Sequence, residues 1–309
     1  MGGTAIKYGL VEMSVNLPER PCKGGAYKDR DAVAARLRQR CGQAKTDRLN
    51  DVLRILLDER FQDVDLLLFP GYTLPVGSKP IPKEVLEAVG KRTVVIETFG
   101  AGASKHGGKV SGARLMHVLH KGKALVKPVA QRITTNEDAK DGNRVAEVVA
   151  GLRRARRWLV RSHVRCGLII CGEVNVVKHS TQGAKALHDE LETRMGPIDL
   201  VVNPAHTRTS LEAMRCKRDW LARGRVLLTS ANLHGAVKVR QWRKKTSRWV
   251  RVCTSSTMTA EVFIGGSLNG RYNRERMVAE LGAQTHELHG GHKVTVVEHA
   301  AIAKVLATI

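Results

Sequence analysis

Short apolar runs recur along the chain and alternate with longer stretches in which apolar residues follow helical spacing. Most of the short runs are continuously apolar, which is typical of strands buried on both faces of a sheet. Strands are predicted at Ile6–Met13, Asp65–Phe69, Thr93–Ile96, Ala113–Leu119, Gly167–Ile170, Asp199–Val202, Val226–Thr229 and Lys293–Glu298.

The segments between these runs predict amphipathic helices. They are Lys28–Phe61, Asn143–Arg161, Thr181–Met195 and Leu211–Arg223. Strands alternating with helices indicate an α/β layered fold. The chain has no internal repeat and no long linker, so we expect a single domain over residues 1–309. A polar, strongly basic excursion at about residues 235–257 interrupts the pattern and reads as a hairpin.

Composition adds two constraints. With 52 Lys and Arg against 29 Asp and Glu, the formal charge is +23. Aromatic residues make up only 4% of the chain, which disfavours a surface that stacks RNA bases or single strands. No apolar run is long enough to span a membrane, and the first residues lack the pattern of a signal peptide, so a cytoplasmic location is expected.

The segment Cys166–Asn175 (CGLIICGEVN) is the most suggestive one for chemistry. Its apolar strand ends at Cys171, and strand ends are where the sites of open α/β folds collect. The chain has six cysteines without a C-x-x-C pair, so we expect thiols rather than disulfides. From the residues alone, Cys171 is either a nucleophile, which requires a neighbouring cation or base, or a small buried side chain.

Five segments in order resemble the landmarks of the nitrilase superfamily of carbon–nitrogen hydrolases: LLLFPGYTL (66–74), KGKALVKPVAQ (121–131), GLIICGEVN (167–175), IDLVVNPAH (198–206) and VLLTSANLHG (226–235). The resemblance implies an αββα sandwich and a Glu–Lys–Cys triad that acts on amides or nitriles. It implies Cys171 as the nucleophile, Lys127 as its cationic partner, Glu137 as the second glutamate and the N–H of Gly172 as an oxyanion donor.

The sequence departs from the family at one catalytic position. Where the resemblance places the first glutamate, after Phe69-Pro70, this chain has Gly71. Glu97, at the end of the next apolar run, and Glu173, two residues beyond the nucleophile, are candidates for the missing carboxylate. The sequence therefore predicts a hydrolase of amide or nitrile bonds, or alternatively a non-catalytic scaffold that binds a polyanion or a protein partner.

Basic residues concentrate in Arg144–Arg165 and in the excursion. The excursion is a solvated surface or a site for nucleic acid or another polyanion, formed by Lys238, Arg240, Arg243, Lys244, Lys245, Arg248 and Arg251. The spacing of His286, His289 and His292 matches no established zinc pattern, so they read as part of a polar surface loop. We expect no cofactor and no metal. The resemblance further implies a homodimer or higher oligomer and a small amide or nitrile substrate.

Overall fold

The computed structural model describes residues 5–17, 30–76, 79–100, 114–135, 137–177, 192–193, 196–206, 212–234, 237–243, 246–254, 259–266 and 270–308. Within these ranges the chain forms two large sheets, a separate two-stranded hairpin and the helices that cover the sheets. None of the described helices is long and apolar enough to cross a membrane.

The first sheet has seven strands in the order β14-β15-β1-β2-β3-β4-β5. In its centre β1, β2 and β3 run parallel, whereas the flanking strands pair antiparallel. The strands are β1 (Lys7–Glu12), β2 (Leu66–Leu68), β3 (Thr93–Thr98), β4 (Leu115–His120), β5 (Lys123–Ala124), β14 (Gln284–Glu287) and β15 (Lys293–Glu298).

The second sheet has six strands in the order β13-β12-β9-β8-β7-β6, with β7, β8 and β9 parallel. Its strands are β6 (Arg157–Val160), β7 (Val164–Leu168), β8 (Leu200–Pro204), β9 (Val226–Ser230), β12 (Ala260–Ile264) and β13 (Arg271–Asn273). The hairpin pairs β10 (Val237–Arg243) with β11 (Arg248–Thr254).

Seven α-helices lie within the described residues. They are α1 (Arg30–Gln43), α2 (Lys45–Leu57), α3 (Lys83–Ala88), α4 (Gly142–Arg153), α5 (Glu212–Leu221), α6 (Arg274–Leu281) and α7 (His299–Leu306). Short 3-10 helices span Glu59–Phe61, Asp138–Lys140, Cys171–Val176 and His289–Gly291.

Three apolar clusters show how the layers stack. The central cluster joins side chains of both sheets, among them Leu10 and Leu68 from the first and Leu168 and Val202 from the second. A second cluster packs α4 and α5 on the outer face of the second sheet, and a third packs α2 and α3 on the outer face of the first. The layer order helix, sheet, sheet, helix confirms the predicted αββα sandwich, and burial from both sides explains the continuously apolar strands.

Several predicted helices differ from those observed. The predicted helix Asn143–Arg161 ends at Arg153, because the following residues form β6, in which Trp158 and Val160 face inward and Leu159 is 52% exposed. The stretch Lys28–Phe61 divides into α1, α2 and a 3-10 turn. Most of the predicted helix Thr181–Met195 lies outside the described residues, whereas Leu211–Arg223 contains α5.

Candidate active site

The candidate site lies where four strand ends meet between the two sheets. In the first sheet, β2 leads into Gly71 and the adjacent parallel strand β3 carries Glu97 near its end. In the second sheet, β7 leads towards Cys171 and the adjacent parallel strand β8 leads to His206. The N–H of Gly71 donates to the carbonyl of Ala205 at 2.9 Å, which joins the two sheets at this point.

Cys171 begins a 3-10 helix and has φ of 43°, a left-handed conformation that side chains other than glycine rarely adopt. Two side chains hold this turn. Asn203 Nδ2 donates to the carbonyls of Ile169 at 2.7 Å and Cys171 at 3.4 Å. The Glu173 carboxylate accepts the N–H of Ile170 at 2.9 Å. Strain of this kind persists where the surroundings enforce it, and it is frequent at reactive residues.

The Cys171 thiol is paired with His206. The backbone N–H of His206 lies 3.5 Å from Cys171 Sγ, and its imidazole is near enough to the thiol to change the pKa of Cys171. Burial by itself would raise the pKa of Cys171, but the charge and hydrogen bonds of His206, with a contribution from the charge of Arg218, lower this pKa to about 7. A thiol with that pKa is substantially ionised at neutral pH, and the thiolate is the form in which cysteines act as nucleophiles.

The other side of the His206 imidazole contacts Glu97. His206 Nε2 lies 2.7 and 2.9 Å from the two carboxylate oxygens of Glu97, and both residues are buried. Burial would lower the pKa of His206, but the negative charges of Glu97 and Cys171 raise it to about 9. Cys171, His206 and Glu97 thus lie next to one another, in the order that a nucleophile–base–carboxylate relay requires.

Glu97 stays ionised in this buried place because its neighbours stabilise the negative charge. Burial would raise the pKa of its carboxyl group, yet the charge and hydrogen bond of His206 and the charge of Arg114 hold it below its ordinary value. The N–H of Tyr72 adds a hydrogen bond of 2.7 Å to Glu97 Oε2. The carboxylate is therefore fixed before any substrate arrives.

Gly71 and Tyr72 enclose the imidazole. A Cβ atom on Gly71 would lie 2.3 Å from Cδ2 of His206, closer than real Cβ contacts come. The Tyr72 ring lies against His206, with 4.4 Å between ring centroids. The His206 ring therefore fills the space that a side chain at position 71 would occupy.

A buried polar network fixes the backbone behind the imidazole. Asn232 Nδ2 donates to the carbonyls of Gly71 at 2.6 Å and His206 at 3.1 Å. Its Oδ1 accepts from Arg48 Nη2 at 2.5 Å, and the same guanidinium group donates to the carbonyl of Tyr72 at 3.3 Å. One buried arginine and one buried asparagine therefore position three residues of the site.

Two arginines supply positive charge around the thiol. Arg114 Nη1 lies 3.4 Å from His206 Nε2 and 3.5 Å from the Tyr72 hydroxyl. Burial would lower the pKa of Arg114, but the charges of Tyr72, Glu97 and Cys171 raise it above its ordinary value. Arg218 is buried, donates from Nε to Asn203 Oδ1 at 3.0 Å and lowers the pKa of Cys171. Neither arginine was identified from the sequence.

Glu173 and Gly172, predicted from the sequence, lie beside Cys171. Glu173 is fully buried and bound to Arg156, with Nη1 to Oε2 at 2.5 Å, and it also accepts the N–H of Arg132 at 2.7 Å. Because these contacts engage both oxygens, Glu173 acts as the anchor of the nucleophile turn. A Cβ on Gly172 would lie 2.4 Å from the carbonyl oxygen of Thr134, so the turn requires glycine there.

The structure does not bring Lys127 and Glu137 into contact with the thiol. Lys127 is exposed in the segment after β5, between the core residues Val126 and Val129. Glu137 is 76% exposed and pairs with Lys140. The roles that the resemblance implies for these two residues stay predictions.

His206 is the functional residue that the sequence reading missed. It ends the segment IDLVVNPAH, which contributed to the resemblance, but it received no role there. The signal that could have found it is the combination of a candidate cysteine with a histidine at the end of a neighbouring parallel strand. Sequence spacing gives no such hint, because 35 residues separate Cys171 from His206.

The three late histidines contact separate partners. His286 packs edge-on against Phe61, His289 Nδ1 lies 3.2 Å from Arg54, and His292 Nδ1 accepts the N–H of Ser14. Within the described residues, no group of three or more His, Cys, Asp or Glu side chains is arranged to hold a metal ion.

The basic residues of the excursion lie on the β10–β11 hairpin. Lys238, Arg240, Arg243 and Arg248 have exposed side chains. Arg251 lies opposite Arg240 in the strand register. Lys244 and Lys245 fall outside the described residues.

Comparison with known proteins finds likeness only among solved structures. No protein-family model matches the sequence, and no curated protein matches it. An amidase of the nitrilase superfamily from Nesterenkonia AN1, in a cysteine-to-serine variant, is similar over 97% of this chain and 94% of its own, with 11% identity and a TM-score of 0.44.

Two further structures are similar. A glutamate-to-glutamine variant of the Nesterenkonia sp. AN1 amidase, with the acetamide moiety of fluoroacetamide covalently added at its active-site cysteine, matches over 100% of this chain and 97% of its own, with 12% identity and a TM-score of 0.43. Glutamine-dependent NAD+ synthetase from Acinetobacter baumannii matches over 87% of this chain and 44% of its own, with 14% identity and a TM-score of 0.38. The residues of the site, rather than this likeness, carry the functional conclusion.

Proposed function

We propose that this protein hydrolyses a carbon–nitrogen bond through a covalent intermediate on Cys171, with His206 as the proton-transfer group and Glu97 as its orienting carboxylate. The observation that carries the proposal is the placement of His206, whose backbone N–H lies 3.5 Å from Cys171 Sγ and whose buried imidazole lies 2.7 Å from Glu97. In this arrangement histidine does the proton transfer that the resemblance assigns to the first glutamate.

The first step forms a thioester. The Cys171 thiolate attacks the carbonyl carbon of an amide, and the C–N bond breaks as the His206 imidazolium gives its proton to the departing nitrogen. The negative charge that develops on the carbonyl oxygen is stabilised by the N–H of Gly172, which lies in the first turn of its 3-10 helix, where N–H groups have no acceptor within the helix. A nitrile attacked in the same way would give a thioimidate.

The second step returns the enzyme to its starting state. The neutral imidazole of His206 takes a proton from water, the hydroxide attacks the thioester carbon, and the thiolate leaves beside the regenerated imidazolium. Glu97 keeps the imidazole in one orientation and stabilises its positive charge in both steps. The positive charges of Arg114 and Arg218 favour the thiolate as leaving group.

The glycine at position 71 favours a catalytic site over a degenerate one. A non-catalytic scaffold was the alternative because the expected glutamate is absent at this position. The close approach of Gly71 to the His206 ring links the small residue to the presence of the histidine, since any larger residue would displace it. A site that had lost its function would not be expected to keep an ionised, buried carboxylate against that ring.

The test is capture of the acyl-enzyme. We expect an activated acyl donor such as p-nitrophenyl acetate, followed by a panel of simple amides, to add one acyl group to Cys171, located by peptide mass spectrometry. Cys171→Ala should abolish this adduct, and His206→Asn should slow both its formation and its hydrolysis. Cys216→Ala is the matched control, because Cys216 is a free thiol on α5 with no place in the relay. Absence of any adduct on Cys171, in protein whose Cys171 is still alkylated by iodoacetamide, would contradict the proposal.

A further inference from the structure

The β10–β11 hairpin sorts its residues onto two chemically different faces. In the antiparallel register Lys238 lies opposite Cys253, Arg240 opposite Arg251 and Trp242 opposite Trp249. Because successive strand residues point to opposite faces, Lys238, Arg240, Trp242 and Trp249 share one face. We call this the tryptophan face. On the opposite face, Arg243 lies opposite Arg248 near the turn.

The two tryptophans of this face are exposed and adjacent. Trp242 and Trp249 are 46% and 47% exposed, and their ring centroids lie 5.7 Å apart with 63° between the planes. The other two tryptophans of the chain, Trp158 and Trp220, are each only 7% exposed. Exposing two large aromatic rings side by side costs free energy in water, so their position indicates a surface that is covered by a partner.

Positive charge surrounds the pair. Lys238 and Arg240 are exposed on the same face, and within the described residues no ion pair joins them to a carboxylate. Strand β10 also contacts α1. A partner that matches this face is therefore anionic and also offers flat apolar surfaces.

We propose that the tryptophan face binds single-stranded nucleic acid, with bases stacked on Trp242 and Trp249 and phosphates bound by Lys238 and Arg240. Proteins usually bind single strands by stacking bases on aromatic rings beside a row of cationic side chains, because the bases of a single strand can unstack from one another. A duplex offers phosphates but no free base faces, and would leave the tryptophans without a role. The low aromatic content had disfavoured such a surface, but half of the tryptophans of the chain are gathered here.

This proposal does not depend on the hydrolase function and is tested by binding alone. Labelled oligothymidine and oligouridine, the corresponding duplex, heparin and vesicles of anionic lipid are titrated against the full chain at several salt concentrations. We expect the single strands to bind more tightly than the duplex and heparin and to quench tryptophan fluorescence. Trp242→Ala with Trp249→Ala should weaken binding of single strands by about tenfold or more. Trp242→Phe with Trp249→Phe, which keeps the rings and the hairpin, should retain most of it.

A charge-matched pair of variants tests the assignment to one face. Lys238→Gln with Arg240→Gln removes two charges from the tryptophan face and should reduce the slope of log affinity against log salt by about 1.4, that is about 0.7 per phosphate contact. Arg243→Gln with Arg248→Gln removes the same charge from the opposite face and should change the slope much less. The rate of Cys171 alkylation should stay unchanged in all these variants.

Three results would overturn the proposal. The first is absence of binding to any oligonucleotide at low salt. The second is equal binding of heparin and single strands together with indifference to the tryptophan substitutions, which would show attraction between charges only. The third is binding to vesicles without binding to oligonucleotides, which would make the hairpin a membrane contact.

Discussion

The imidazole of His206 lies so close to the backbone of Gly71 that a Cβ atom there would come within 2.3 Å of the ring. This contact ties together two features that the sequence presents separately, a missing glutamate and a histidine 135 positions later, at the end of another strand. Glycine at position 71 leaves the space that the His206 imidazole occupies, and this imidazole is the acid–base group next to the thiol.

Replacement of Gly71 tests that relationship. Gly71→Ala should displace the His206 ring and lower activity and the rate of Cys171 alkylation at neutral pH, while far-ultraviolet circular dichroism stays unchanged. Gly71→Glu should be at least as damaging, since it adds a larger side chain to an occupied space. Gly142→Ala is the control, because nothing lies within 4 Å of a Cβ at that position. A Gly71→Glu protein more active than the wild type would show that the site is degenerate.

The relay also predicts the order in which the thiols react. Burial raises the pKa of Cys41 and Cys166, whereas Cys171 is only partly buried and has a pKa of about 7. With limiting iodoacetamide at neutral pH, mass-spectrometric mapping should find Cys171 labelled before Cys41 and Cys166. Labelling of Cys166 ahead of Cys171 would be incompatible with an activated nucleophile.

Glu97→Gln removes the negative charge that raises the pKa of His206. The pKa of His206 should fall, the imidazolium should become less populated at neutral pH, and the pKa of Cys171 should rise because the thiolate loses its positive neighbour. Activity should fall by about 10²–10⁴-fold, as for the loss of a properly held acid–base group. Glu87→Gln, which changes an exposed glutamate on α3, serves as the control. An active wild type that tolerates Glu97→Gln would show that catalysis does not need Glu97 to orient and charge His206.

Activity itself should follow a bell-shaped pH profile. It rises as Cys171 loses its proton near pH 7 and falls as His206 loses its proton near pH 9, because acylation uses the thiolate together with the imidazolium. The two limits belong to the coupled pair rather than to either residue alone. The measurement is kcat/KM for the acyl donor across this range, and a rate that keeps rising above pH 9 would argue against proton donation by His206.

Replacement of Glu173 should lower the free energy of unfolding. Glu173→Ala leaves the buried guanidinium of Arg156 without its carboxylate, and loss of one partner of a buried ion pair costs about 3–5 kcal/mol of unfolding free energy. Urea denaturation measures this loss. Glu280→Ala breaks a surface pair with Arg276 and should have little effect by comparison. If Glu173→Gln kept the stability and lost all activity, Glu173 would have a chemical role as well.

Continuously apolar strands and amphipathic helices leave a local pattern, and this pattern predicted an α/β layered fold. The αββα order of the layers was implied by the resemblance. The sequence also placed Cys171 at a strand end and Glu97 at the end of the apolar run that follows Phe69. It did not predict that β6 follows α4 directly. The alternating residues Trp158, Leu159 and Val160 were assigned to the predicted helix Asn143–Arg161 instead of to a strand. His206, Arg114 and Arg218 were missed because their roles arise from tertiary proximity, which one sequence does not encode in any spacing.

The pH dependence of Cys171 alkylation tests the central claim most directly. With iodoacetamide and peptide mapping, the wild-type thiol should show an apparent pKa of about 7. In His206→Asn this pKa should move up towards the ordinary value of about 8.5. Glu97→Gln, which keeps the histidine, should move it in the same direction and provides a second readout if His206→Asn fails to fold. A Cys171 pKa that stays the same in folded His206→Asn would contradict the account.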